Sequence, residues 1–332
     1  MLFRSLDLLF ALNRPELEDR LHGFSNAIAE MLASQLPLAG AGEGAGAPGA
    51  EIPQVAMISI SKPIWFYGLE SMAAQLLPPK EGRLRRIAFA QLALPGMADA
   101  AQAMTRPEEE LGRWSRAIPL WLAETFYFSA AYNPIAAVGV LKNPKGASHH
   151  VIFAAEWSTE NLRQLVESTG EGLDYIVTGA LRANAGDHEL VLRVWEVKSF
   201  RERKTFQVRW TPASMDEALT QIHAQLRGYM EWSPASASLA FTQAASPSVW
   251  IDSLGASLGL FLVEKEILPA TLLPPVDRDL AKAATRANTG EAASLAFLTL
   301  RARARSIGHA PGPEPTLARS VLVNAAREAT GN

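Results

Sequence analysis

The sequence predicts an α/β protein, a mixed sheet with helices packed against it, followed by an all-α C-terminal region. Three observations carry that expectation. Residues 173–230 spell three strands and a helix, the apolar period changing from two to near 3.6. From Arg83 onward, strand-like runs alternate with helical ones, the order that joins parallel strands by crossovers. After Pro234 the strand signal stops and amphipathic helical stretches take over.

Taken in order, residues 14–35 have a helical stripe of Leu17, Leu21, Phe24, Ile28, Met31 and Leu32, with Asn13 and Glu16 spaced to cap it. Pro37 ends it, and residues 39–50 (AGAGEGAGAPGA) read as a small-residue linker, because nothing in them offsets the entropy of ordering. Gln54 to Ser61 reads as a strand and Gly68 to Leu77 as a short helix stopped by Pro78-Pro79. RLRRIAFAQLAL is a strand ending at Pro95-Gly96. Thr105 with Glu108 opens a helix carrying Leu111, Trp114, Ile118, Trp121 and Leu122, which Pro119 should kink or split. Residues 134–142 form an apolar strand of the buried type, and 143–146 a turn. Ser158 caps the next helix, where Trp157 and Leu162 are placed as a hydrophobic staple and Gly170 as a C-cap.

The firmest stretch follows. Tyr175, Val177 and Leu181 share one strand face. Phe206, Val208 and Trp210 share another, with Thr205, Gln207 and Arg209 opposite. Asn184-Ala185-Gly186-Asp187 makes the first turn, with Gly186 free to take positive φ. Ser214 and Glu217 have capping-box spacing, ahead of a stripe of Met215, Ala218, Leu219, Ile222, Leu226 and Tyr229. Parallel pairing is expected early in 83–230 and antiparallel pairing late.

The run DYIVTGAL, a strand ending in VWEV, a strand ending in Trp and then an amphipathic helix resembles the N-terminal TolB-like domain, over residues 83–230. Two details depart from the family pattern: Phe200-Arg201-Glu202-Arg203 replaces the usual turn between the last two strands, and Gly172-Leu173 stands for Gly-Val. The resemblance implies a non-enzymatic binding or assembly module with no catalytic residues to transfer. The expected organisation is therefore an N-terminal segment over 1–80, a TolB-like α/β domain over 81–232 and a helical domain over 233–332. In the last, Ser246-Pro247 starts a helix lined by Trp250, Leu254, Leu258, Phe261 and Leu262. Stretches 276–287, 290–308 and 315–329 follow, without a 34-residue period, so a short bundle is expected in preference to a repeat array.

Composition narrows function. With 332 residues, 48% hydrophobic and 20% charged, the chain has the make-up of an ordinary folded protein. A net charge of −3 gives no reason to expect a nucleic-acid partner. Zero cysteines remove disulfides, thiolate metal sites and a cysteine nucleophile. At the N-terminus Asp7 splits the apolar run and Asn13-Arg14-Pro15 follows, so no signal peptide is read and a cytoplasmic location is expected.

The motif-like strings have bland readings that outweigh their chemical ones. Gly44, Gly46 and Gly49 match the dinucleotide fingerprint, but Pro48 lies inside it and a strand follows where a helix is needed. Gly255-Ala256-Ser257-Leu258-Gly259 matches a nucleophile elbow but sits mid-helix, where its glycines suit close helix packing. His149-His150 point to opposite faces of a strand and have no third ligand at motif spacing, so a loop or edge-strand role is expected. Glu108-Glu109-Glu110 suits a first helical turn. Arg83, Arg85 and Arg86 suit the solvent face of an edge strand.

The expectation is thus a non-enzymatic protein-binding, scaffold or regulatory protein with no cofactor, no metal and a protein partner. Candidate partner-binding residues are Trp195 and Arg193, on a mixed strand face for which the competing reading is cover by a helix, together with Arg85 and Arg86. Two alternatives stand beside it. One is a serine hydrolase centred on Ser257; the other is a peripheral membrane-associated assembly factor attached through residues 2–10.

Overall fold

A computed structural model of the chain describes residues 54–331, apart from 98, 144–146, 170–171, 311 and 313. The expectations for the helix at 14–35, the linker at 39–50, the glycines at 44–49, the apolar stripe at 2–10 and the Gly170 cap lie outside the described residues.

Seven strands form one mixed sheet: β1 (Gln54–Ile60), β2 (Arg85–Ala90), β3 (Tyr132–Lys142), β4 (His149–His150), β5 (Tyr175–Asn184), β6 (Asp187–Glu196) and β7 (Arg201–Trp210). Their order is β1-β3-β2-β5-β6-β7, with β4 added on β3. β2 pairs in parallel with both β3 and β5, while β5–β6 and β6–β7 are antiparallel. The change of direction comes where the helical crossovers give way to tight turns, as the spacing predicts. Ala185 and Gly186 take φ of 51° and 93°, the paired positive values of a two-residue hairpin turn.

Among the described residues there are seven longer helices: α1 (Glu110–Tyr127), α2 (Thr159–Thr169), α3 (Met215–Tyr229), α4 (Pro247–Glu264), α5 (Val276–Ala284), α6 (Glu291–Ser306) and α7 (Val321–Ala329). The main core is continuous from the sheet into the helices. It takes Phe89, Val177, Leu192, Phe206, Val208 and Trp210 from the strands, Ile118 and Phe126 from α1, Leu219 and Ile222 from α3, and Leu254 and Leu258 from α4. Every residue of α1 from Gly112 to Tyr127 is buried, because it packs on β2 and β3 and receives α4 as well. A smaller apolar cluster on the other sheet face joins Ala88, Ala90, Ala137 and Ile176 to Leu162 and Leu165 of α2.

Several local expectations are corrected. Pro119 does not split its helix: α1 runs unbroken through it and starts at Glu110, not near Thr105. Gly68 to Leu77 is a pair of single turns at Glu70–Met72 and Ala73–Leu76. The connection between β6 and β7 is Val197–Ser199 plus Phe200 at φ 46°, so Arg201, Glu202 and Arg203 belong to β7. Ser158 does cap α2, exchanging hydrogen bonds with Asn161 through side chain and backbone at 3.2 Å. Ser214 makes no capping box, because its hydroxyl turns back to Thr211. Tyr229 ends the α3 stripe exposed, its ring edge-on to Phe206.

Close packing explains the two glycines of the Gly255–Gly259 string, against α1 at Gly255 and against the segment after α4 at Gly259. A Cβ on Gly255 would lie 2.4 Å from Arg113 Cγ, and one on Gly259 would lie 3.1 Å from Leu273. Arg113 is not free to yield, since its guanidinium is held by Asp279 at 3.0 Å and Asp252 at 3.6 Å. Gly255→Ala should therefore destabilise by about 1–3 kcal/mol through overpacking, against the usual gain of alanine in a helix. Denaturant melts check it, and a neutral or stabilising result would mean that the two helices separate freely.

Candidate functional site

The sheet face opposite α3 is the place where the candidate residues meet. Cross-strand rows on β5, β6 and β7 read Arg182–Glu189–Arg209, Ala180–Val191–Gln207 and Thr178–Arg193–Thr205, with Trp195 paired to Ile176 and Glu202 in the row beyond. The strand period of two sends Leu190, Leu192 and Val194 to the core and leaves these residues on the opposite face, where Thr178, Ala180 and Val191 are themselves buried. Thr205, Gln207 and Arg209 are exposed. Arg193 and Trp195 are half-buried.

Charges on this face are mutually paired. Glu156, from the segment before α2, binds Arg182 at 2.5 Å and Arg193 at 3.0 Å. Arg193 also reaches Glu202 at 3.2 Å, and Glu189 binds Arg209 at 2.6 Å and Arg182 at 3.4 Å. Partial burial works to raise the Glu156 carboxyl, but hydrogen bonds from Arg193 and then Arg182 outweigh it and hold the group below its ordinary value. The hydrogen bond from Arg209 lowers Glu189 likewise. The result is a lattice of ion pairs with alternating sign across β5, β6 and β7. At its end the Trp195 indole donates to Thr178 Oγ1 at 2.9 Å, and the ring packs beside the Ala88 and Ile176 cluster.

The two other candidates separate. Arg85 and Arg86 lie at the start of β2, which is central in the sheet, so the edge-strand reading is corrected. As consecutive strand residues they take opposite faces. Arg85 bonds the Tyr132 hydroxyl at 3.1 Å and pairs with Glu231 at 3.5 Å. Arg86 falls on the side of Ala88 and Ala90, the face that carries Trp195, and its backbone N–H donates to Asp174 at 2.8 Å.

Sequence patterns missed a buried polar centre beyond the end of β2. Gln91, fully enclosed, donates to the Val151 carbonyl at 2.7 Å, accepts from Gly139 N–H at 2.9 Å, and offers its own carbonyl to the Trp157 indole at 3.0 Å. Arg116 donates to the same Val151 carbonyl at 3.2 Å and pairs with Glu108. Glu108 thus leaves the acidic run expected at the helix start and becomes the counter-ion of a buried guanidinium. His150 lies against the pair with Nε2 3.8 Å from Glu108, but burial first, then the Arg116 charge and His149, push its pKa well below the ordinary value and keep it neutral. No single feature of the sequence announces this centre, since its members are brought together from five separate segments. Nearby, α4 and α5 enclose a cavity of about 10 Å³ that touches Glu108 and Asp279, room for a water molecule and no substrate.

Ser257 is mid-helix in α4 and buried, and its hydroxyl accepts from Arg303 Nη1 at 2.5 Å. It has no strand-to-helix turn to expose it. Among the described residues no group of three or more His, Cys, Asp or Glu is arranged to hold a metal ion. No helix among them is long and apolar enough to cross a membrane.

No family model and no curated protein matches the chain. Among solved structures, it is similar to TolB from Acinetobacter baumannii at 10% sequence identity and a TM-score of 0.26, over 56% of this chain. It spans about a third, 33%, of that protein. This is a weak structural resemblance to a TolB-like fold.

Proposed function

We propose that the protein is a non-enzymatic binding or scaffold module that receives a protein partner on the outer face of β5–β7. In that reading residues 83–230 form a TolB-like domain, and the C-terminal helices brace it from the opposite side. The observation that supports the proposal is the paired charge lattice ending at Trp195. Arginine and tryptophan are the side chains that most often anchor interfaces, and here salt bridges hold Arg193 and an indole hydrogen bond holds Trp195. A face ordered in advance loses less side-chain freedom when it binds.

The test is capture from the protein's own host with the tagged full chain. Trp195→Ala combined with Gln207→Glu should lower recovery of a specific partner by about tenfold or more, the loss of one anchor residue. A control at the exposed Val321, Val321→Asp, should leave recovery unchanged. Equal recovery by both variants, with melts unaltered, would reject this face as the binding surface.

A further inference from the structure

The group that stands out elsewhere is Glu124, near the C-terminal end of α1. Its side chain is buried where three elements meet, and its two oxygens are held by two indoles. Trp65, from the turn Ile64–Phe66, donates to Oε1 at 3.0 Å, and Trp250, near the start of α4, donates to Oε2 at 3.2 Å. Both donors are neutral. A carboxylate enclosed with no cation is costly, so the site favours the acid form unless its hydrogen bonds compensate.

Among the described residues, the charged and titratable groups around it are engaged elsewhere, Arg303 of α6 included, which donates to the Ile64 and Tyr67 carbonyls. On α1, Arg116 pairs with Glu108, and Tyr127 lies under the Lys80 ammonium at 4.8 Å. On the segment carrying Trp65, Lys62 sits over the Phe66 ring at 5.6 Å and Tyr67 packs on Phe261. On α4, Asp252 receives Trp114, Arg113 and Lys282. From α3, His223 meets Thr125 at 2.9 Å. Among the described residues, the two indoles are the groups that hydrogen-bond the Glu124 carboxyl.

We propose that Glu124 is a proton-operated latch: with its proton on, α4 and the Ile64–Phe66 turn are held firmly to α1, and with its proton off they loosen. One carboxyl bridges both elements, beside the Asp252 contacts that also hold α4 to α1 and the Arg303 contacts that also hold the turn. Ionisation places an uncompensated anion between them, and the relief available is to admit water, which parts the indoles from it. The direction agrees with the titration: burial raises Glu124 from its ordinary 4.5 to about 7, against a smaller opposing effect of the two tryptophan bonds. Its contribution to stability is then full below about pH 4.5, is lost as pH rises through 7, and is constant above. His223 works the other way. Burial, then Arg227, lowers it to about 4, so its contribution is present above pH 6.5 and lost on acidification. His150 shares that direction. The raw profile mixes these effects, and a comparison with Glu124→Gln separates them.

The experiment measures denaturant unfolding of the full chain between pH 5 and 8.5, for the native protein and Glu124→Gln. The ratio of their unfolding constants should change roughly tenfold per pH unit between pH 5 and 7 and then level. Amide exchange in α4 and at 64–66 should accelerate over the same range in the native protein, ahead of the β5–β7 strands. An infrared band of a protonated carboxyl should be present at pH 6, and this and the exchange pattern stand alone if Glu124→Gln does not fold. A flat ratio or a missing band overturns the titration. Exchange that accelerates uniformly over the chain overturns the latch.

Discussion

Trp210→Ala is expected to cost about 3–5 kcal/mol, and Arg209→Ala, one residue earlier, no more than about 1 kcal/mol. Trp210 is 3% exposed, shares its face with Phe206 and Val208, and stacks on His188 with ring centroids 5.6 Å apart. Truncation removes a large apolar surface and leaves a cavity between β7 and the core it shares with α3. Arg209 points the other way with a side chain 76% exposed, so its ion pair with Glu189 is one that solvent screens. The contrast is a direct reading of register, because a slip of one residue exchanges the two faces. Paired denaturant melts decide it, and equal losses would mean that β7 is placed wrongly.

Arg303→Met is expected to cost a similar amount, about 3–5 kcal/mol, for a different reason. The guanidinium is 4% exposed on α6 and ties three segments together. It donates to Ser257 Oγ on α4, to the Ile64 carbonyl at 3.0 Å and to the Tyr67 carbonyl at 2.5 Å, with Glu264 at 3.4 Å. Methionine fills much of the volume but leaves two backbone carbonyls without donors. Ser257→Ala removes a single acceptor from the same network and should cost about 1–2 kcal/mol, more than a free helix position would. Thermal melts of both variants test the ordering. Labelling of Ser257 by a fluorophosphonate probe would instead revive the hydrolase alternative.

The sequence by itself determined the local structure and much of the sheet's pairing. Period-two alternation in β5 and β7, the Ala185-Gly186 turn, and the change from crossover-length to hairpin-length connections each act over a few residues, and each survives in the fold. The helices after Pro234 were legible for the same reason, since an apolar stripe is written within one segment. Of the candidate site, the sequence supplied Arg193 and Trp195 because their strand face carries a charge among apolar residues.

Tertiary structure alone decided what depends on distant partners. Arg83, Arg85 and Arg86 looked like an edge because a strand's neighbours are not encoded in its own residues; β2 is central because β3 and β5, 47 and 88 residues further on by the Arg85–Tyr132 and Arg86–Asp174 contacts, close on either side. Glu108 left its acidic run because Arg116 and the enclosing helices remove it from water, and a buried guanidinium needs a counter-ion more than a helix end needs a third acid. Ser214 lost its capping box to Thr211, a competition between backbone N–H donors for one hydroxyl that spacing does not resolve. Arg193 met Glu156 across 37 residues, and Glu124 met Trp65 and Trp250 across 59 and 126. Such pairings need the folded core first, since it supplies the burial that makes a polar partner necessary and the geometry that brings one within reach.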